Sequence, residues 1–269
     1  MSIPLFKQMM SLYARGMFSY ALGSAFYMLL MFWLYPSIAK NSASINELIQ
    51  GLPEGVGSAF GLQSGFGSVE AFISGEYYGL ILVLILSVFC TQFSTQLVAK
   101  LVDQGAMAYL LSAPVTRGKV ALTQAAVLFA GLFVIVAVTT LAGFAGYAWF
   151  VGGGNEFSPR FLQLNLVVLA LFFAVSGISF LVSCLSNDEK RALSISGIIT
   201  FGFFTMDLLG KISGSIGWLR SLSLFSLYRP GEIAAGTAQM GYATPLLFLI
   251  GLAGFAAGIA MFKRRDLPL

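Results

Sequence analysis

The amino-acid sequence predicts an all-α integral membrane protein, built as a single transmembrane domain over residues 1–269. The class follows from three observations: 58% of the residues are hydrophobic, only 10% are charged, and the mean hydropathy is +0.86. Soluble domains carry about 25% charged residues, so this chain has too few charges to cover a surface that faces water.

Stretches without charged residues mark six membrane-spanning helices, since a helix needs about 20 predominantly apolar residues to cross a bilayer. The fifth stretch, 192–206, is long enough only if its helix continues past Asp207 to Gly210. The predicted spans are 17–36, 77–99, 121–146, 161–184, 192–210 and 244–262. A signal peptide ending near Ser37-Ile38-Ala39 is the alternative for the first, but the apolar stretch exceeds the usual length of about 7–15 residues.

The distribution of lysine and arginine predicts how these helices are oriented. With the N-terminus in the cytoplasm, ten of the fifteen cations fall on the cytoplasmic side: Lys7, Arg15, Lys100, Arg117, Lys119, Lys190, Arg191, Lys263, Arg264 and Arg265. We therefore expect both termini in the cytoplasm and a multi-pass protein of the inner or plasma membrane, of bacterial origin.

The composition also limits the chemistry of the chain. It contains no histidine, which excludes a Ser-His-Asp triad and histidine-ligated metal within this chain. Cys90 and Cys184 lie in apolar stretches without metal-ligand spacing, so we expect two buried thiols and no metal site. Neither a catalytic residue nor a cofactor of its own is expected.

Three segments outside the spans have helical spacing or mixed composition. Residues 3–15 place Ile3, Phe6, Met10 and Tyr13 at helical intervals, which predicts a short amphipathic helix in the inner interface, with a frayed tail as the alternative. The outer loops 37–76 and 211–242 mix Gly and Ser with large apolar residues. For the second loop, between spans five and six, we expect short re-entrant helices.

The inner loop between spans two and three predicts a further amphipathic helix over 103–113. Asp103 is suited to cap its N-terminus and Pro114 to end it. Met107, Leu110 and Leu111 share one face, which must be buried either on the membrane surface or against a soluble partner.

Four motifs of the chain match a known transporter family in order along the sequence. The first runs from Leu52-Pro53-Glu54 to Phe60-Gly61. The second is Asp103-Gln104-Gly105 with Leu110-Leu111-Ser112-Ala113-Pro114-Val115-Thr116-Arg117. The third is Leu222-Ser223-Leu224-Phe225 with Tyr228-Arg229-Pro230, and the fourth is Phe262-Lys263-Arg264-Arg265-Asp266-Leu267. The chain resembles the permeases of type-2 ATP-binding-cassette (ABC) exporters. It departs from them at Asp103, where the family usually has Glu, and it lacks the second acid that often follows.

The resemblance implies a dimer of permeases, identical or related, that exports an apolar or amphipathic substrate such as a drug, antibiotic, peptide or lipid. It implies that 103–113 is the coupling helix, which contacts a cytoplasmic ATPase subunit through Asp103, Gln104, Gly105, Met107, Leu110, Leu111, Pro114 and Arg117. The chain has no G-x-x-x-x-G-K-[ST] loop, so ATP and Mg are expected on that partner. Membrane lipid is the other expected contact, and nucleic acid is not.

Asp207 is the one acid inside a predicted span, which makes it the candidate for the substrate path or a gate. It lies about 9 Å outward from the centre of its span, where pairing with Lys211 one turn later is the structural alternative. Other function classes stay open. An ion-coupled secondary transporter predicts several charges near the midplane, and a membrane enzyme predicts facing carboxylates. A non-catalytic scaffold subunit is a further alternative.

Overall fold

A computed structural model describes residues 1–41, 47, 51, 68–112, 115–152, 157–237 and 241–265. This part of the chain is 90% helical and contains no strand. Six of its helices are long and apolar enough to cross a membrane. The chain is therefore an all-α, multi-pass membrane protein, and the predicted class is confirmed.

The long helices in chain order are α1 (Ile3–Lys40), α2 (Val69–Asp103), α4 (Arg117–Phe150), α5 (Phe157–Leu185), α6 (Glu189–Ile212) and α8 (Ala243–Arg264). Two short helices lie between them, α3 (Ala106–Ser112) and α7 (Pro230–Ala235). Two 3₁₀ segments, Gly214–Leu222 and Leu224–Leu227, connect α6 to α7. Each predicted span lies within one long helix.

Helix α1 joins the predicted interfacial segment to the first span without interruption. It begins after Ser2, with a proline in its first turn, and its 38 residues end at Lys40. At 1.5 Å per residue this helix is about 57 Å long, whereas the hydrocarbon core of a bilayer is about 30 Å thick. A membrane-surface position for its first turns stays a prediction.

Helix α2 begins at Val69, well before the predicted start at residue 77. It consists of an α-helical turn (Val69–Phe72), a π-helical stretch (Ile73–Ile81) and two α-helical parts (Leu82–Leu97 and Ala99–Asp103) separated at Val98. Glu70 and Glu76 therefore lie inside a spanning helix, in addition to Asp207. The charge-free criterion placed both outside the span, since it ends at any acid. Glu70 lies in the first turn, where the helix dipole favours negative charge, whereas Glu76 lies about two turns further along and stays half-buried.

Helix α5 lies at the centre of the bundle. Of its apolar window 78% is buried, against 22% for α6. Backbone-to-backbone contact joins it to α8, since a Cβ at Gly177 would lie 2.5 Å from the carbonyl oxygen of Gly251, and one at Gly254 would lie 2.6 Å from the carbonyl carbon of Gly177. The glycines of α5 and α8 thus permit close packing of these two helices.

The segment between α6 and α8 folds into short helices that pack on the bundle. Phe225, Tyr228 and Ile233 are buried, and the Tyr228 hydroxyl donates to the Tyr78 carbonyl at 3.1 Å. Burial raises the pKa of Tyr228 well above its ordinary value, so this hydroxyl remains a donor. Re-entry of the segment into a membrane stays a prediction. Most of the first outer loop lies outside the described residues, as does the predicted helix stop at Pro114.

Candidate functional site

Of the residues predicted to contact an ATPase, those that the structure describes, which are all except Pro114, lie at one end of the bundle, where six helix ends meet. Ser2 N donates to Thr123 Oγ1 at 3.0 Å, which joins α1 to α4, and Ala99 N donates to Ser183 Oγ at 3.0 Å, which joins α2 to α5. The carbonyl oxygen of Cys184 accepts a 2.7 Å hydrogen bond from the Arg265 guanidinium. We call this end the helix junction. It is the end that the cation distribution predicts to be cytoplasmic.

Asp103 terminates α2 and does not begin the following helix. The predicted helix 103–113 starts at Ala106, because Gly105 adopts a left-handed conformation (φ +69°) that separates it from α2. The Asp103 carboxylate accepts from the backbone N–H of Glu189 at 3.1 Å, and Lys100 pairs with the Glu189 carboxylate at 3.4 Å. Asp103 thus binds the N-terminus of α6, where the helix dipole favours a negative charge.

Helix α3 turns its apolar face toward the chain itself. Met107 is fully buried in the core, and Leu110 and Leu111 are half-buried against it. Met107 therefore has no free surface for a partner, although contact of α3 with an ATPase stays a prediction. The exposed side of α3 carries Tyr109, which is 83% exposed. Sequence reasoning missed Tyr109, although it is the large side chain that the amphipathic pattern places opposite Met107.

Two other residues predicted to contact an ATPase, Gln104 and Arg117, differ in how far they are exposed at the helix junction. Gln104 is exposed directly after α2, whereas Arg117 is half-buried. The Arg117 guanidinium donates to the Arg265 carbonyl at 2.7 Å, so it ties the start of α4 to the end of α8. Partial burial lowers the pKa of Arg265, which also bonds to Asn187.

Asp207 lies toward the opposite end of the molecule and is paired with two cations. It is 3% exposed, and its carboxylate contacts Lys211 Nζ at 2.6 Å and Arg220 Nε at 3.2 Å. The sequence predicts the Lys211 pair from its spacing. Arg220 belongs to a separate 3₁₀ segment and could not be predicted from spacing. This arrangement favours the structural pairing over a free carboxylate facing a substrate.

A polar stripe follows the contact between α1 and α2 along most of their length. Four tyrosines of α1 pack along α2. Tyr13 and Tyr20 bond to Gln96 and Gln92, whereas Tyr27 stacks on Tyr77 and Tyr35 packs on Phe72, with ring centroids 6.0 and 5.9 Å apart. We call these four tyrosines, together with Gln96, Gln92, Glu76 and Glu70 of α2, the tyrosine seam. The Tyr20 hydroxyl donates to Gln92 Oε1 at 2.6 Å, and the Tyr13 hydroxyl donates to the Gln96 carbonyl at 3.1 Å. Glu76 and Glu70 lie within electrostatic reach of their tyrosines.

All eight side chains of the seam are half-buried, so they reach the surface of the chain. Lipid tails offer no hydrogen bonds, and polar groups of spanning helices usually face other protein or a water-filled cavity. We therefore expect the seam to face protein or a water-filled cavity. The sequence signal for the seam is the spacing of seven between Tyr13, Tyr20 and Tyr27.

The π-helical stretch of α2 lies beside the seam and connects it to the core. Tyr77 is fully buried and bonds to Ser24 at 2.7 Å, and Ser24 bonds in turn to Thr139 at 2.6 Å. The Tyr78 hydroxyl donates to Asn165 Oδ1 at 2.9 Å. These bonds join α1, α2, α4 and α5. Because π-helical turns are frequent at functional sites, this stretch marks the middle of the candidate site.

Within the described residues, no group of three or more Cys, Asp or Glu side chains is arranged to hold a metal ion. Cys90 and Cys184 are free and buried, as predicted. The chain matches no protein-family model, no curated protein and no solved structure. The functional interpretation therefore rests on this geometry and on the motifs described above.

Proposed function

We propose that the chain is the transmembrane permease subunit of an ATP-driven ABC exporter. It forms one half of a translocation pathway for an apolar or amphipathic substrate, and a separate subunit hydrolyses ATP. The observation that carries this proposal is the tyrosine seam, a half-buried polar and aromatic surface that runs along two spanning helices.

The seam supports a pathway that two permeases form together. The four tyrosines present rings and hydroxyls, which suit a substrate with both apolar and polar parts. A second permease placed against this face encloses it and separates its polar groups from lipid tails. The partial exposure of the seam in the described part of one copy supports a dimer.

The helix junction supports transmission of force from an ATPase to the seam. Met107 anchors α3 in the core, while Tyr109 and Gln104 present a surface beyond the bundle. Asp103 connects the end of α2 to the start of α6. A displacement of α3 by an ATPase therefore moves α2, which carries half of the seam.

Transport by reconstituted protein tests the proposal. The chain is co-expressed with a Walker-motif protein that co-purifies with it, and both are placed in liposomes with an environment-sensitive amphipathic dye. We expect dye movement that requires ATP and stops when the Walker lysine of the partner is replaced. Stoichiometric ATP binding by the purified chain alone would contradict the division of labour.

An ion-coupled secondary transporter is the second candidate, and Glu76 is the observation that favours it. This carboxylate lies within the π-helical stretch of a spanning helix, and irregular helices that carry acids occur in such transporters. Transport measured in the same liposomes distinguishes the two candidate functions. Dye movement driven by a proton or sodium gradient without ATP would favour the second candidate over the first.

A further inference from the structure

A cavity of about 350 Å³ opens at the end of the bundle opposite to the helix junction. It lies between the first turns of α2, the first turns of α5 and the end of α7. Its wall contains the polar side chains of Glu70, Ser74 and Arg160 and the apolar side chains of Ile73, Phe161 and Leu164. Ligand pockets measure about 300–1,000 Å³, so this cavity fits a small group.

The wall contains one negative and one positive charge that do not neutralise each other. Among the residues that the structure describes, the ion pairs are Lys100–Glu189, Lys211–Asp207, Arg220–Asp207 and Arg229–Glu232. Neither Glu70 nor Arg160 belongs to them. In the same part of the chain, the hydrogen bond of the Arg160 guanidinium is a long one, 3.4 Å from Nη1 to the Ala234 carbonyl. Both side chains can therefore still form an ion pair with a ligand.

The backbone fixes both charges at the cavity. Glu70 lies in the first turn of α2, which Ser68 caps by accepting the Ala71 N–H at 3.1 Å. Arg160 lies against the end of α7, where Gly236 turns the chain with φ +75°. A Cβ at Gly236 would lie 3.0 Å from the guanidinium, so glycine provides both the turn and the space that Arg160 occupies.

We propose that this cavity binds a zwitterionic group, with its anionic end on Arg160 and its ammonium end on Glu70. Glu70 is half-buried and Arg160 is exposed at the mouth of the cavity, and a zwitterion contacts both charges at once, whereas a lone anion or a lone cation contacts only one of them. Arginine binds phosphate and carboxylate through paired hydrogen bonds, and a carboxylate accepts from an ammonium group. Two sources supply this chemistry, the headgroup of phosphatidylethanolamine in the surrounding membrane and a free zwitterion. The cavity shares Glu70 with the tyrosine seam, but its test measures ligand binding and not transport, so this inference and the proposed function can fail separately.

Native mass spectrometry of the purified chain in detergent, titrated with short-chain phosphatidylethanolamine, tests the site. We expect binding to weaken about tenfold in Arg160→Gln and in Glu70→Gln, because each variant loses a charged hydrogen bond. Arg229→Gln and Glu232→Gln are the matched controls. These two residues form an ion pair at the same end, with side chains 51% and 48% exposed, and they do not line the cavity.

Two further compounds complete the experiment. Phosphatidylglycerol keeps the phosphate and lacks the ammonium, so the parent should bind it more weakly than phosphatidylethanolamine, and Glu70→Gln should bind both equally. Glycerophosphoethanolamine, the soluble headgroup, competes if a free zwitterion suffices. If it does not compete while phosphatidylethanolamine binds, the occupant is a lipid. Equal binding of the two lipids by the parent, or unchanged binding in both cavity variants with unaltered thermal unfolding, would overturn the proposal.

Discussion

At the scale of single residues, Asp207 shows how this chain tolerates a buried carboxylate. Two cations, Lys211 and Arg220, surround it, and both keep part of their side chains exposed (27% and 33%). The charge is therefore compensated at a position where an isolated carboxylate would be costly. Arg220 also anchors the 3₁₀ segment to α6, because its side chain packs over Gly210.

We expect Asp207→Asn to lower the thermal stability of the purified chain. The substitution leaves two cations side by side, and breaking a buried ion pair costs about 3–5 kcal/mol, less here because the cations are partly exposed. Adding Lys211→Met to Asp207→Asn should restore part of the loss, since it removes one unpaired charge. Thermal unfolding in detergent measures both. Unchanged unfolding together with lost transport would favour a gating role for Asp207.

The residues that the sequence predicts are those whose partners are close along the chain. The spacing of four residues between Asp207 and Lys211 predicts their contact. The apolar residues around Cys90 in the sequence predict that its thiol is buried. The contact of Arg220 with Asp207 and the hydrogen bond of Tyr20 to Gln92 depend on residues that are far apart in the sequence or in separate elements. No local pattern contains that information.

At the scale of helices, the crossing of α5 and α8 fixes the centre of the bundle. Gly177 and Gly251 bring the two backbones into direct contact, so any side chain at the crossing must separate the helices. Without a hydrophobic driving force in lipid, such close packing is a main source of association between spanning helices.

Gly177→Ala should therefore destabilise the chain by about 1–3 kcal/mol, because its Cβ would lie 2.5 Å from the Gly251 carbonyl oxygen. Gly202→Ala in α6 is the matched control, since a Cβ there meets nothing within 4 Å. Alanine also favours a helix over glycine by up to about 1 kcal/mol, so the control should be neutral or stabilising. Equal unfolding temperatures for the two variants would contradict this account of the crossing.

The existence of the spans could be predicted, whereas their ends could not. Bilayer thickness sets the minimum length of an apolar helix, so six charge-free stretches correspond to six helices. The ends depend on capping and on glycine conformation. Ser68 starts α2 before two acids, and Gly105 separates α3 from α2, which moves Asp103 from the predicted start of one helix to the end of another.

At the scale of the whole molecule, a continuous path connects the helix junction to the tyrosine seam. Helix α3 follows α2 after Gly105, and α2 carries Gln96, Gln92 and Glu76 of the seam. Asp103 extends the same connection to α6. The proposed coupling thus requires only that a partner binds the exposed side of α3 and displaces it.

Tyr109 provides the sharpest test of this coupling. Its side chain is 83% exposed, so Tyr109→Asp should leave folding and membrane insertion nearly unchanged, as is usual for surface substitutions. If an ATPase covers α3, the substitution places an unpaired carboxylate in a desolvated contact, and we expect substrate-stimulated ATP hydrolysis to fall at least about tenfold. Tyr242→Asp is the matched control, an exposed tyrosine (67%) before α8 at the opposite end, and it should hydrolyse ATP like the parent. Full stimulation of ATP hydrolysis in Tyr109→Asp would mean that α3 lies free or against lipid. An ATPase could then not displace the helix junction through α3, which would contradict the proposed coupling.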